Sequence, residues 1–265
     1  KSGKVPGLTV VRIGEDPASK VYVGKKVKTC KELGFYSEEI HLQALVTENE
    51  VLEIIERLNH ESKVNGILIQ LPIPKHLSEN KLIEALDPRK DVDGFHPMNR
   101  GKFLAGQDSF IPCTPLGVMN LLAEHKIEVK GRSALVIGRS LIVGRPMSLL
   151  LDQAGATVTV AHSQTQNLDE LCSHSDIIVV AIGKPHFLSK QKLKPGVVII
   201  DVGINRLESG KLVGDVDYEG VSKKASAITP VPGGVGPMTI ACLLANTLTA
   251  TCRANNLPEP KNLTA

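Results

Sequence analysis

Apolar and polar positions follow two regimes along the chain: short runs of Val, Ile and Leu, and longer stretches where apolar residues recur at helical spacing. Leu8–Gly14 predicts a strand. Asp16-Pro17-Ala18-Ser19 then predicts a helix start with Pro in its first turn, running to Leu33 and stopping at Gly34. A second strand is predicted near Ile40–Leu45, a helix over Asn49–Ser62, and a wholly apolar third strand at Gly66–Gln70. The order β-α-β-α-β is that of a parallel sheet. Pro72 and Pro74 interrupt it before a short helix near Glu79–Leu86.

Asp91–Pro115 is rich in Gly, Pro, Asp and Asn with little periodicity, and reads as a long functional loop or linker ending near a domain junction. A second α/β series follows, with strands at Ala134–Ile137, Thr157–Val160, Ile177–Ile182 and Val197–Val202 and a helix over Val143–Ala154. The last helix, about Pro237–Ala254, is apolar all round and must be buried. The polar tail after Asn255 reads as frayed. The fold class is therefore α/β with two domains.

Composition sharpens this picture. Hydrophobic residues are 42% and aromatics 3%, so the core rests on aliphatic side chains, as suits parallel strands covered on both faces. A net charge of +3 without a Lys/Arg-rich block argues against a nucleic-acid partner. No apolar run reaches the length expected of a membrane span and no signal peptide is visible, which argues against a membrane partner. Five cysteines without C-x-x-C spacing read as reduced thiols of a cytoplasm or, if a leader is removed, an organelle matrix. The histidines show no metal-ligand spacing, so no metal is expected.

The segment Gly138-Arg139-Ser140-Leu141-Ile142-Val143-Gly144-Arg145-Pro146 joins an apolar strand to a helix start. Free backbone N–H groups and the helix dipole favour a phosphate there. Gly138 suits the tight turn and Gly144 close helix–strand packing, although the spacing departs from G-x-G-x-x-G and an ordinary turn remains the plainer alternative. An NAD site usually ends the following strand with Asp or Glu. Here that end reads Val160-Ala161-His162-Ser163-Gln164-Thr165, with no carboxylate. Ser163 and Arg139 suit a 2′-phosphate, so the cofactor expected is NADP. Gly183 and Gly203-Ile204 stand where two further strands stop, at the end of a sheet where ligands bind.

Tyr22 and Lys26 are one helical turn apart, and Ser19 shares their face. With Lys20, Lys25, Lys28 and Lys31 nearby, periodicity alone makes this a solvated face. Gln70 closes the apolar third strand before Leu71-Pro72, and Asp91-Val92-Asp93-Gly94 follows. A β-α-β-α-β unit can bring Tyr22, Lys26, Gln70 and Asp93 to one sheet edge. Thr229–Pro237 adds a Pro/Gly-dense run that fixes backbone shape.

Six motifs, in order, resemble the bifunctional methylenetetrahydrofolate dehydrogenase/methenyltetrahydrofolate cyclohydrolase family. They are Tyr22-x-x-x-Lys26, Gln70-Leu71-Pro72, Asp91-Val92-Asp93-Gly94, Pro112-Cys113-Thr114-Pro115, Gly138-Arg139-Ser140 and Pro230–Pro237. The family carries a further N-terminal stretch ahead of the position of Lys1, so a preceding helix is expected. The resemblance implies a catalytic, folate-binding domain over residues 1–116 and a Rossmann-like NADP domain over 117–236. Residues 237–265 would be a helix and tail packing back on the first domain.

The resemblance also implies roles. Lys26 matches the catalytic lysine, Gln70 the residue that orients it, Tyr22 the residue packing on the folate, and Asp93 the pterin anchor. Ser19, Ile69, Leu71, Pro232, Gly233, Gly234, Val235 and Gly236 would also contact substrate. Gly138, Arg139, Ser140, Val143, Gly144, His162, Ser163, Gly183, Gly203 and Ile204 would hold NADP. The expected reactions are oxidation of 5,10-methylenetetrahydrofolate, in free or polyglutamylated form, and hydrolysis of the product to 10-formyltetrahydrofolate, by a homodimer. Two other readings stand beside it: a shikimate-type NADP dehydrogenase with a catalytic lysine, and an inactive NADP-binding module.

Overall fold

The computed structural model describes residues 3–189 and 192–260. The chain divides into two compact units: one of the described residues up to Ile111 with those from Leu243 onward, the other Pro112–Cys242. The sequence placed these divisions after residues 116 and 236.

The first unit holds β1 (Gly7–Ile13), α1 (Pro17–Glu32), β2 (Tyr36–Leu42), α2 (Glu48–His60), β3 (Gly66–Gln70), α3 (Glu79–Glu84) and α4 (Pro97–Leu104). Its sheet has the order β2-β1-β3 with every pair parallel. All seven residues of β1 are buried, as expected of a central strand. Asp16 caps α1, its carboxylate accepting from Ser19 N at 2.7 Å. Thr47 and Glu50 form a capping box that starts α2, whose Val51, Ile55 and Leu58 enter the core.

Two elements depart from the sequence reading. β2 begins at Tyr36, not near Ile40, because an edge strand with a half-exposed face carries Ser37, Glu38 and Glu39 without an apolar run. The stretch read as a loop from Asp91 contains α4, capped by the His96 ring, which accepts from Met98 N; only Asn99 and Phe103 of this helix are buried, too few for a periodic signal.

The second unit runs α5 (Cys113–Glu124), β4 (Ser133–Ile137), α6 (Gly144–Gln153), β5 (Thr157–Ala161), α7 (Leu168–His174), β6 (Ile177–Val180), β7 (Val198–Asp201), β8 (Asn205–Arg206), β9 (Leu212–Val213), α8 (Tyr218–Val221), β10 (Ala227–Ile228) and the start of α9 (Val235–Ala254). Its main sheet is parallel, ordered β10-β7-β6-β4-β5, and β8–β9 is an antiparallel hairpin. β6 and β7 are buried throughout, and their aliphatic residues with Leu135 and Ile137 make the core.

α5 belongs wholly to this unit because it packs on the first turn of α9. Thr114 and Thr239 hydroxyls lie 3.0 Å apart, and a side chain at Gly117 would strike Met238. The later turns of α9 belong to the first unit, where Asn246 donates to Val92 O at 2.9 Å. Contrary to the sequence reading, α9 is long and apolar enough in composition to cross a membrane. It is a core helix: Leu243, Leu244, Thr247, Ala250 and Thr251 are all buried. None of the five cysteines forms a disulfide.

Candidate active site

The buried stripe of α1 is Ser19, Val23, Lys26 and Cys30. Lys26 is 6% exposed, whereas Lys20, Lys25, Lys28 and Lys31 are all exposed. The solvated-face reading therefore holds for four lysines and fails for the fifth. Burying an ammonium requires hydrogen-bonding partners, and Lys26 Nζ donates to Gln70 Oε1 at 2.9 Å.

Gln70 ends β3, and its amide is fixed at both ends. Its Nε2 donates to Leu71 O at 2.8 Å while its Oε1 receives Lys26. Ser19 Oγ reaches the same carbonyl at 3.4 Å. Tyr22, one turn from Lys26, is half-buried, and burial pushes its phenol above the ordinary tyrosine range. Ile69 lies in the hydrophobic core and offers a ligand only its backbone.

Asp93 is half-buried on the loop between α3 and α4. A parallel bridge from Ile67 to Asp91 lays this loop beside β3, leading toward the end where Gln70 stands. The sequence reading missed what builds it. Asp91 is 1% exposed and accepts from Phe95 N at 3.1 Å, His96 N at 2.8 Å and Asn99 Nδ2 at 2.8 Å. The two acids of Asp-Val-Asp-Gly thus do different work: Asp91 faces inward and folds the loop, and Asp93 rides on it.

In the second unit, Gly138 sits at φ +122, and a Cβ there would strike Ala181 O. A Cβ at Gly144 would strike the Gly138 carbonyl, so both glycines are required by close backbone approach. The donors at the start of α6 are not free, contrary to expectation. Val143 N and Gly144 N donate to Ser140 Oγ at 3.1 and 3.2 Å, and Arg145 N donates to Ser140 O at 3.0 Å. The short loop folds back and uses its own serine as the cap.

Gly138 N donates to Ala161 O at 2.9 Å, which sets the ends of β4 and β5 side by side. Arg139 and Ser163 follow these ends, and both are exposed. His162 is half-buried in a turn closed by Thr165, and its ring accepts from Gln164 N. The lack of a carboxylate beyond β5 and the exposed arginine beyond β4 fit a 2′-phosphorylated dinucleotide. Gly183 and Ile204 are exposed beyond β6 and β7, while Gly203 is buried. Pro232 and Gly233 are exposed, but Val235 and Gly236 belong to the first turn of α9, with Val235 buried.

Asp201 closes β7 and is 3% exposed. Burial pushes its carboxyl up to about 6, with the neighbouring Asp215 acting in the same direction and backbone donors opposing. The folded state thus favours the protonated acid more than the unfolded chain does. This group's contribution to stability is complete below the ordinary carboxylate range and is lost as pH rises through about 6. A carboxyl-carbon NMR titration should show Asp201 with a midpoint near 6. A midpoint at about 4, the value of an ordinary aspartate, would contradict this.

Residues 1–93 match the family model described as the tetrahydrofolate dehydrogenase/cyclohydrolase catalytic domain, and residues 112–255 match its NAD(P)-binding domain. The bifunctional protein FolD of Acetivibrio thermocellus is 58% identical over 92% of this chain and 86% of its own. The crystal structure of the bifunctional FolD dehydrogenase/cyclohydrolase from Campylobacter jejuni aligns with a TM-score of 0.92 at 51% identity, covering 95% of this chain and 89% of that one. The Trypanosoma brucei dehydrogenase-cyclohydrolase, complexed with NADP and an inhibitor, aligns at 0.92 with 37% identity, covering 96% and 89%. Shikimate dehydrogenase from Aquifex aeolicus, at 14% identity and a TM-score of 0.57 over 99% and 97%, shares the fold alone.

Proposed function

Because the chain belongs to the tetrahydrofolate dehydrogenase/cyclohydrolase family, we propose how its residues divide that family's two reactions. The chain oxidises 5,10-methylenetetrahydrofolate to the methenyl cation with NADP and hydrolyses that cation to 10-formyltetrahydrofolate. The observation that carries the assignment of residues is the bond from Lys26 Nζ to Gln70 Oε1 at 2.9 Å.

Asp93 anchors the pterin, its carboxylate accepting from the ring's amino and N–H donors. Tyr22 lies along the folate, and Ser19 and Leu71 shape the floor beside it. NADP, when bound, supplies the hydride acceptor. Lys26 serves the hydrolysis. Water adds to the methenyl carbon and gives its proton to Lys26 Nζ; cleavage of the bond from that carbon to N5 leaves the formyl group on N10, with one net proton released. A base must first be neutral, and a cationic substrate beside Nζ disfavours the ammonium. Gln70 keeps Nζ in one position, so the proton moves along a fixed line.

In the second unit, the α6 donors are held by Ser140 Oγ. Phosphate contacts therefore fall to the exposed side chains of Arg139 and Ser140, with Ser163 donating to the 2′-phosphate. A homodimer is proposed as well; β5 leaves an exposed sheet edge on which a second copy could pair.

The test is NADPH formation from methylenetetrahydrofolate, compared with NAD. Arg139→Ala should raise KM for NADP about 10- to 100-fold, the loss of one charged contact of about 1.5–3 kcal/mol, and leave NAD nearly unaffected. No reduction of either cofactor by the wild type would refute the function; equal losses with both would remove Arg139 from the 2′-phosphate.

A further inference from the structure

Beyond the residues assigned above, the second unit holds two buried acids that the reaction does not use. Asp215 is fully buried and Asp201 nearly so. Asp215 Oδ2 accepts from Ile182 N at 2.7 Å and Gly183 N at 2.9 Å, and its Oδ1 accepts from Lys184 N and Asn205 Nδ2, both at 2.8 Å. Three successive amides thus wrap one carboxylate, a backbone nest closed on an internal anion. Asp201 Oδ1 accepts from Gly203 N at 3.0 Å and Asp215 N at 2.9 Å, and its Oδ2 accepts from Val216 N at 2.9 Å.

The acids are therefore linked in series, and the chain is built to admit them. The β8–β9 hairpin returns residues 214 and 215 beneath the ends of β6 and β7. A Cβ at Gly203 would overlap the Asp215 carboxyl group, and one at Gly214 would overlap the Asp201 carboxylate. The series continues outward: Asp201 N donates to Thr229 Oγ1 at 2.8 Å, immediately before the Pro230–Pro237 run. Two buried carboxylates so close need a reason other than stability, since hydrophobic packing would cost less.

We propose that Asp215 and Asp201 are positioning residues for the nicotinamide end of the cofactor. They shape the loops after β6 and β7, residues 181–184 and 202–205, into the single backbone form that receives it. Asp215 fixes both loops at once, through the nest on one side and Asn205 on the other. This rests on the NADP reading given above for Gly183, Gly203 and Ile204.

The two family reactions separate the possibilities, because hydrolysis of the methenyl cation requires no hydride acceptor. Asp215→Asn keeps the shape but turns an amide NH2 toward backbone donors. It should raise KM for NADP at least tenfold and lower dehydrogenase kcat, with KM for methylenetetrahydrofolate and cofactor-free cyclohydrolase activity within twofold of the wild type. Gly214→Ala displaces the Asp201 carboxylate without altering charge and should give the same split.

A KM for NADP within twofold of the wild type in both variants overturns the proposal. So does an equal fall of both activities with a lowered melting temperature, or failure of both variants to fold; either makes the pair merely structural. A wild type that reduces neither NADP nor NAD would instead refute the cofactor reading, a distinct failure visible before any variant is made.

Discussion

Lys26→Met should lower methenyltetrahydrofolate hydrolysis about 10²–10⁴-fold, the usual contribution of a positioned general base. Methionine retains much of the length of the lysine stem, so the packing beside Val23 and Cys30 survives. The substitution removes the Lys26 donor to Gln70 Oε1, and an unsatisfied amide oxygen costs about 1–3 kcal/mol where water cannot reach it. Stability should consequently fall modestly while hydrolysis nearly vanishes. The check is single-wavelength decay of the methenyl chromophore beside a thermal melt. Wild-type hydrolysis in the variant would remove Lys26 from its role. Gln70→Glu supplies a finer comparison: a carboxylate beside Nζ favours the ammonium, so hydrolysis should fall at neutral pH although the contact persists.

Asp91→Ala should carry the largest cost in stability. It strips three donors, Phe95 N, His96 N and Asn99 Nδ2, of one shared acceptor inside the first unit. At about 1–3 kcal/mol for each buried donor left unpaired, partly relieved by water, the expected loss is about 3 kcal/mol or more. In a chain of this length that lowers the melting temperature by about 6–12 °C. Both reactions should fall together, since Asp93 sits in the loop that Asp91 folds. Asp93→Ala is the control: activity lost, melting temperature nearly unchanged. If Asp91→Ala melts with the wild type, the loop is held by other contacts.

The contrast between these acids shows what local sequence could and could not reveal. Both stand in one four-residue motif with the same chemistry, and only the fold decides which turns inward. Lys26 posed the same difficulty. Helical periodicity groups it with exposed lysines, and its Gln70 partner is 44 residues away in β3; the sheet topology made the convergence possible, and the family resemblance gave Lys26 its role. Strands were most legible where they are buried: β1, β3, β4, β6 and β7 are largely aliphatic because their side chains are covered. The polar start of β2 was missed because an edge strand need not be apolar. The two-residue strands β8, β9 and β10 are too short for any periodicity, yet β8 and β9 deliver Asp215. The missing carboxylate after β5 was legible because it depends on one position. The Ser140 cap was not, because it depends on how a loop of irregular spacing closes on itself.

That cap bears on the thermodynamics of recognition. On the proposed reading of Ser140 as a phosphate contact, a turn held by its own hydroxyl has already lost much of its conformational freedom before any ligand arrives. Binding there exchanges hydrogen bonds and does not order a chain, so little entropy remains to be lost. On that reading, selectivity between dinucleotides should reside in the groups flanking the turn, Arg139 and Ser163, rather than in the turn itself.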